Sequence, residues 1–169
     1  MSYQRVSRST LLRGFGAAAV LAGAGLAASR VASAAKPDTF EVHFTSDQWR
    51  ARLGPQRYNI LREAGTEPAG SSPLDQEHRH GTFACAGCDL PLYSSSTKFN
   101  SGTGWPSFYR PLPNAVRERS DYSLIEKRIE VLCRRCGGHL GHVFNDGPPP
   151  TGLRYCMNGL ALQFHPGKA

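Results

Sequence analysis

From Phe83 onward the chain tends to alternate apolar and polar positions, the period of a half-buried strand. Phe83 leads into a cysteine pair. Tyr122-Ser123-Leu124-Ile125 and Arg128-Ile129-Glu130-Val131-Leu132 read as strands, as do Arg154–Asn158 and Leu160–Phe164, with Asn158-Gly159 at the junction. Leu160, Leu162 and Phe164 then fall on one face. Before Phe83 the pattern is helical and short. Thr45-Ser46-Asp47-Gln48 has the form of a capping box, and Trp49 and Leu53 continue the turn. Pro55–Glu63 predicts a second short helix, and Gly65–Pro73, rich in Gly, Pro and Ser, a loop. The pattern predicts one mainly β domain with antiparallel sheets and a few short N-terminal helices. The 18 glycines and 12 prolines suit short strands joined by many turns.

The first 35 residues differ from the rest. They hold four arginines and no Asp or Glu, and an apolar run from Gly14 to Ala28 precedes Ala32-Ser33-Ala34, a small-x-small cleavage pattern. Residues 1–34 therefore read as an export signal and 35–169 as the mature domain, expected in the periplasm with no stable membrane association after cleavage. Ser7-Arg8-Ser9-Thr10-Leu11-Leu12-Arg13 resembles a twin-arginine motif with Ser9 in place of the second arginine, so the general secretory route stays open. The signal also changes the charge. The whole chain is +7, but residues 1–34 carry four of its 20 basic and none of its 13 acidic residues, leaving +3. That charge, without a basic and aromatic stripe, argues against a nucleic-acid partner. A monomer is expected.

The five cysteines sort by spacing. Cys85-Ala86-Gly87-Cys88 and Cys133-Arg134-Arg135-Cys136 are two C-x-x-C pairs, together a complete tetrahedral thiolate set for one structural Zn²⁺. Other arrangements are two disulfides, a redox-active C-x-x-C, or a site built from Cys133, Cys136, His139 and His142. Cys156 is left over, and a lone cysteine near arginine and histidines is a candidate nucleophile. Strand alternation puts Arg154, Cys156 and Asn158 on one face, where the guanidinium is expected to lower the thiol pKa. His139 and His142 are candidate proton donors, and Trp105 in Gly102-Thr103-Gly104-Trp105-Pro106-Ser107-Phe108 a candidate apolar wall. Each of these residues is also ordinary core material.

The segments Gly102–Phe108, Cys133-x-x-Cys136-x-x-His139-Leu140-Gly141-His142-Val143-Phe144-x-Asp146-Gly147-Pro148 and Arg154-Tyr155-Cys156-x-Asn158 together resemble the B-type methionine sulfoxide reductases, specific for the R epimer. The resemblance spans about residues 40–165. It implies a β-rich fold with zinc held by Cys85, Cys88, Cys133 and Cys136, away from the chemistry. It makes Cys156 the nucleophile, assisted by His139, His142, Asn158 and Arg154, with Trp105 and Phe144 binding substrate. The implied partners are oxidised proteins and a thioredoxin-like or small-thiol reductant. Many members of that family carry a resolving cysteine where this chain has Thr103, so a one-cysteine enzyme with an external reductant is expected. The alternatives are a zinc-ribbon binding module and a C-x-x-C thiol-disulfide oxidoreductase.

Overall fold

A computed structural model describes residues 39–167. The expected export signal and the 34/35 boundary lie outside the described residues. No helix among the described residues is long and apolar enough to cross a membrane.

One helical segment, α1 (Ser46–Glu63), opens the domain. Thr45 caps it: its hydroxyl accepts the Gln48 N–H, and the Gln48 side chain accepts the Thr45 N–H. This reciprocal pair satisfies two N–H groups that the helix itself leaves unpaired. Gly54 breaks the segment with φ 65°, and Pro55 restarts it, so the two short helices read from the sequence form one kinked element. Trp49, Tyr58, Ile60 and Leu61 bury its inner face.

Nine strands follow among the described residues: β1 (Gly81–Cys85), β2 (Pro91–Ser94), β3 (Lys98–Phe99), β4 (Ser107–Phe108), β5 (Val116–Asp121), β6 (Arg128–Cys133), β7 (His139–Phe144), β8 (Arg154–Met157) and β9 (Leu162–Pro166). They form a three-stranded sheet, β2-β1-β9, and a six-stranded sheet, β3-β4-β8-β7-β6-β5. Every pairing is antiparallel. The core holds Phe83, Leu92, Tyr93, Phe108, Leu140 and Met157, all fully buried. Tyr93 stacks on Phe108 at 4.3 Å, and its hydroxyl donates to the Met157 sulfur at 3.1 Å.

Two strand expectations are corrected. Tyr122–Ile125 is not a strand. The Asp121 carboxylate accepts the Ser123 N–H at 2.8 Å, a local turn that ends β5 and competes with ladder bonding. Residues 122–127 are the exposed connection to β6. Leu160 is not in β9 either. The buried Glu67 carboxylate accepts the N–H groups of Gly159 and Leu160 at 2.6 and 2.8 Å. That draws Gly159–Ala161 into a 3₁₀ turn, and β9 starts at Leu162.

A bulge decides what β7 presents. His139 and His142 are three residues apart, so a regular strand would turn them to opposite faces. Here β6 and β7 pair Glu130 with His142 and Val131 with Gly141, then Leu132 with His139. The extra residue restores the parity and puts both imidazoles on one face, with ring centroids 5.4 Å apart. Gly141 makes the bulge feasible. Its φ is 156°, and a Cβ there would meet the Cys156 carbonyl oxygen at 2.1 Å. Gly141→Ala is therefore expected to destabilise the domain by about 1–3 kcal/mol through forced separation of β7 and β8. Urea unfolding measures this; an unchanged midpoint contradicts the close approach.

Candidate active site

Register places the site. Across the larger sheet Ser107 pairs with Cys156, Cys156 with His142, His142 with Glu130, and Glu130 with Arg119. Directly opposed residues share a face, so one transverse row carries a thiol, an imidazole, a carboxylate and a guanidinium over five strands. One step along, Arg154 pairs with Phe144, and its guanidinium lies 4.5 Å over the Phe144 ring.

Cys156 is half-buried at the edge of a cavity of about 150 Å³. His142, Trp105, Phe144, Asn158 and Thr66 line it with the thiol. Of the residues the sequence singled out, the structure brings these four together with Cys156. His139 stands behind His142 and does not reach the cavity. Arg154 is held by two bonds to Asp146, at 2.9 and 2.8 Å. A wider open groove of about 840 Å³ lies on the far side of Glu67 and Gly159. Neither cysteine nor histidine lines it, so it lacks the groups for this chemistry.

Two acid–histidine pairs orient the imidazoles. His142 Nε2 is 2.8 Å from Asp121 Oδ2. The Ser123 hydroxyl and N–H, then His142 and Arg128, hold the Asp121 carboxyl well below the usual range. The carboxylate is ionised, so Nε2 carries the proton and donates, leaving Nδ1 as the acid–base nitrogen. Burial pushes the His142 pKa down more strongly than Asp121 pushes it up. His139 Nδ1 is likewise 2.7 Å from Glu130 Oε1. Burial raises Glu130, but His139 and Arg119 outweigh it and the carboxyl sits below its ordinary range. His139 Nδ1 therefore donates, and its Nε2, buried, meets no hydrogen-bond partner among the described residues.

The thiol differs from the expectation. Burial pushes the Cys156 pKa up, and Thr103, Arg154 and Ser107 push it down without overcoming that. Arg154 favours the thiolate as expected, but much of its charge is neutralised by Asp146. Thr103 Oγ1 lies 3.9 Å from Cys156 Sγ and 2.8 Å from Ser101 Oγ, which is 2.7 Å from Ser107 Oγ. A chain of three hydroxyls thus borders the sulfur.

Trp105 and Asn158 are fixed through the segment after α1. Trp105 Nε1 donates to the Glu67 carbonyl at 3.1 Å. Asn158 Oδ1 accepts the Glu67 N–H at 3.0 Å, and its Nδ2 donates to the Leu140 carbonyl. Glu67, Asp121, Glu130 and Ser107 were not singled out from the sequence. Glu130 left a faint signal, a carboxylate between apolar neighbours in a strand. The others left none, because the partners that place them at the site are distant in the chain: Asn158 and Gly159 for Glu67, His142 for Asp121 and Cys156 for Ser107.

The four remaining cysteines form a separate cluster whose sulfurs all lie within 4.8 Å of one another. Cys85 and Cys136 are 3.7 Å apart and Cys88 and Cys133 3.5 Å. A tetrahedron of sulfurs at zinc–thiolate bond length has edges of about 3.8 Å, whereas a disulfide requires about 2.0 Å. The geometry fits one tetrahedral ion and not two disulfides. His139 and His142 are engaged elsewhere, which removes the arrangement of two thiolates and two imidazoles. From Arg128 beside the cavity to Cys133 in the cluster, β6 covers about 17 Å.

An antiparallel β domain with a thiol and a carboxylate-held imidazole on one cavity, and a distant cluster of four cysteines, belongs with the oxidoreductases. Residues 53–166 match the SelR domain, and the chain belongs to that family, which is that of the B-type methionine sulfoxide reductases. It is 58% identical over 123 residues to the "Peptide methionine sulfoxide reductase MsrB" of Thiobacillus denitrificans, covering 72% of this chain and 93% of that protein. It is 50% identical over 126 residues to the protein of the same name from Leptospira interrogans, covering 74% and 96%. It is 49% identical over 125 residues to that of Methanosarcina mazei, covering 73% and 89%.

The burial of Cys156 predicts its titration. Alkylation by iodoacetamide should rise with pH along a curve whose midpoint lies above that of an ordinary thiol. Arg154→Gln removes a group that favours the thiolate and should move the midpoint higher still. A wild-type midpoint below the ordinary thiol value contradicts this balance.

Proposed function

We propose that this protein reduces methionine sulfoxide in oxidised proteins, acting on the R epimer through Cys156. The observation that carries this reading is the half-buried thiol in a small cavity lined also by Trp105, Phe144 and a carboxylate-held imidazole. The cavity equals about five water volumes, room for a methylsulfinyl head and little more. Trp105 and Phe144 take the methyl group. His142 and Asn158 take the oxygen. This division admits one arrangement of methyl, oxygen and main chain about the chiral sulfur, which supports epimer selectivity.

Cys156 is held toward its thiol form, so it enters the reaction with its proton. His142 Nδ1 takes that proton as the thiolate attacks the sulfoxide sulfur, and returns it to the oxygen. The attack forms a bond between the two sulfurs, and that bond breaks as the oxygen passes from methionine to Cys156, so one methionine S–O bond is lost and one Cys156 S–O bond is gained. Methionine sulfur gains two electrons, Cys156 loses two, and the products are methionine and a sulfenic acid. His142 is favoured as proton carrier because it lines the cavity, whereas His139 lies behind it. Arg154 acts as a positioning and charge group, steadied by Asp146.

Thr103 stands beside Cys156 where a resolving cysteine would be needed, and the other four cysteines form the distant cluster. Recycling therefore falls to an external thiol, from a thioredoxin-like protein or a small molecule. A first thiol displaces water to form a mixed disulfide, and a second releases Cys156 as the free thiol. The four-cysteine cluster holds one Zn²⁺ as a structural cross-link with no open position. Residues 1–34 act as the export signal and 35–169 as the reductase domain, which works in the periplasm.

Intact-mass spectrometry under native and then denaturing conditions tests this account. The native protein should carry one zinc. After one equivalent of substrate without reductant, the denatured chain should gain about 16 Da on Cys156. Thr103→Cys should instead lose about 2 Da as an internal disulfide forms. A wild type that itself loses about 2 Da overturns the one-cysteine cycle, and a native protein without metal overturns the zinc cross-link.

A further inference from the structure

Among the described residues, the large apolar side chains that stand well exposed are Tyr122 at 70%, Leu124 at 60% and Ile125, fully exposed. All three belong to the connection between β5 and β6, residues 122–127. A connection that merely closes a hairpin has no need of them, and clustered exposed apolar side chains mark interaction sites. The base of this connection is also the base of the catalytic pocket. Asp121 Oδ1 accepts the Ser123 N–H at 2.8 Å. Asp121 Oδ2 accepts from Arg128 Nη2 at 2.7 Å and from His142 Nε2 at 2.8 Å. Arg128 and His142 line the cavity that holds Cys156. One carboxylate therefore fastens both the imidazole and the root of the apolar connection, and the connection ends at Arg128, which lines the cavity.

We propose that Tyr122, Leu124 and Ile125 form a docking patch for the polypeptide that carries the oxidised methionine, binding the apolar residues that flank it in an extended segment. This rests on the methionine sulfoxide reductase reading. The cavity, about 150 Å³, takes the sulfoxide head, and the flanking chain is expected to lie across its rim. Methionine is itself a core residue, so its neighbours in an unfolded or oxidised segment are frequently apolar. A patch that takes such neighbours selects damaged chains over free methionine sulfoxide, because the free amino acid has nothing to place there.

The test compares wild type with the triple variant Tyr122→Ser, Leu124→Ser, Ile125→Ser, with dithiothreitol as reductant. The substrates are N-acetyl-methionine R-sulfoxide, a peptide with the sulfoxide flanked by leucine and valine, and one flanked by serine and glycine. The proposal expects the variant to lose about tenfold in kcat/KM on the apolar peptide. The blocked amino acid and the polar peptide should stay within about twofold. Equal loss on all three substrates, or no loss on any, overturns the docking patch alone. So does a loss seen only when thioredoxin replaces dithiothreitol, which assigns the patch to the reductant. A wild type inactive on every substrate overturns the reductase reading and the patch with it.

Discussion

The register of the six-stranded sheet is the constraint on which the rest depends. It aligns Ser107, Cys156, His142, Glu130 and Arg119 in one row. A slip of one residue between β7 and β8 would carry Cys156 to the opposite face from His142, because strand side chains alternate. The register is held from both sides of Cys156. The Met157 N–H donates to the Pro106 carbonyl and the Asn158 N–H to the Leu140 carbonyl. Met157 and Tyr155 are buried on the reverse face, so the slip would also expose them. The apolar half of β8 thus secures the position of its reactive half.

The cysteine cluster does for the two sheets what register does within one. Cys85 ends β1 of the smaller sheet, and Cys133 ends β6 of the larger. The cluster joins the sheets at the end of β6 remote from the catalytic cavity. An ion held by the four sulfurs would tie the two sheets together and add to the stability that the core supplies. The Cys156 cavity and the cysteine cluster are separated by the length of a strand, so a reaction at Cys156 would not involve the cluster thiols. Between them runs the polar row, where carboxylates fix which nitrogen of each histidine carries a proton. That row sets His142 opposite Cys156 in the sheet, with Asp121 bonded to its Nε2.

Local features were legible in the sequence. The capping box at Thr45, the two C-x-x-C pairs, the odd cysteine and the strand read over Arg154–Asn158, formed over Arg154–Met157, follow from spacing and alternation within a few residues. The antiparallel β class followed from the same signals. Most of what was not legible depends on distant partners, although the first miss is a local turn. The apolar content of Tyr122–Ile125 resembles a strand, but Asp121 turns the chain there. The alternation of Leu160 and Leu162 is broken by Glu67, more than 90 positions earlier in the chain. Histidines at 139 and 142 share a face only because β7 bulges, and the need for Gly141 appears only once β8 lies against it. The raised thiol pKa is the same kind of miss. Arg154 is close in sequence and visible, whereas burial and the Asp146 neutralisation are three-dimensional.

The central claim is that Cys156, alone among the cysteines, carries out an epimer-selective oxygen transfer. The direct measurement is reduction of separated R and S epimers of a blocked methionine sulfoxide by wild type and by Cys156→Ser, with dithiothreitol. The account predicts turnover of the R epimer only, abolished in the variant while its metal content is unchanged. Turnover of both epimers, or activity that survives Cys156→Ser, would contradict it.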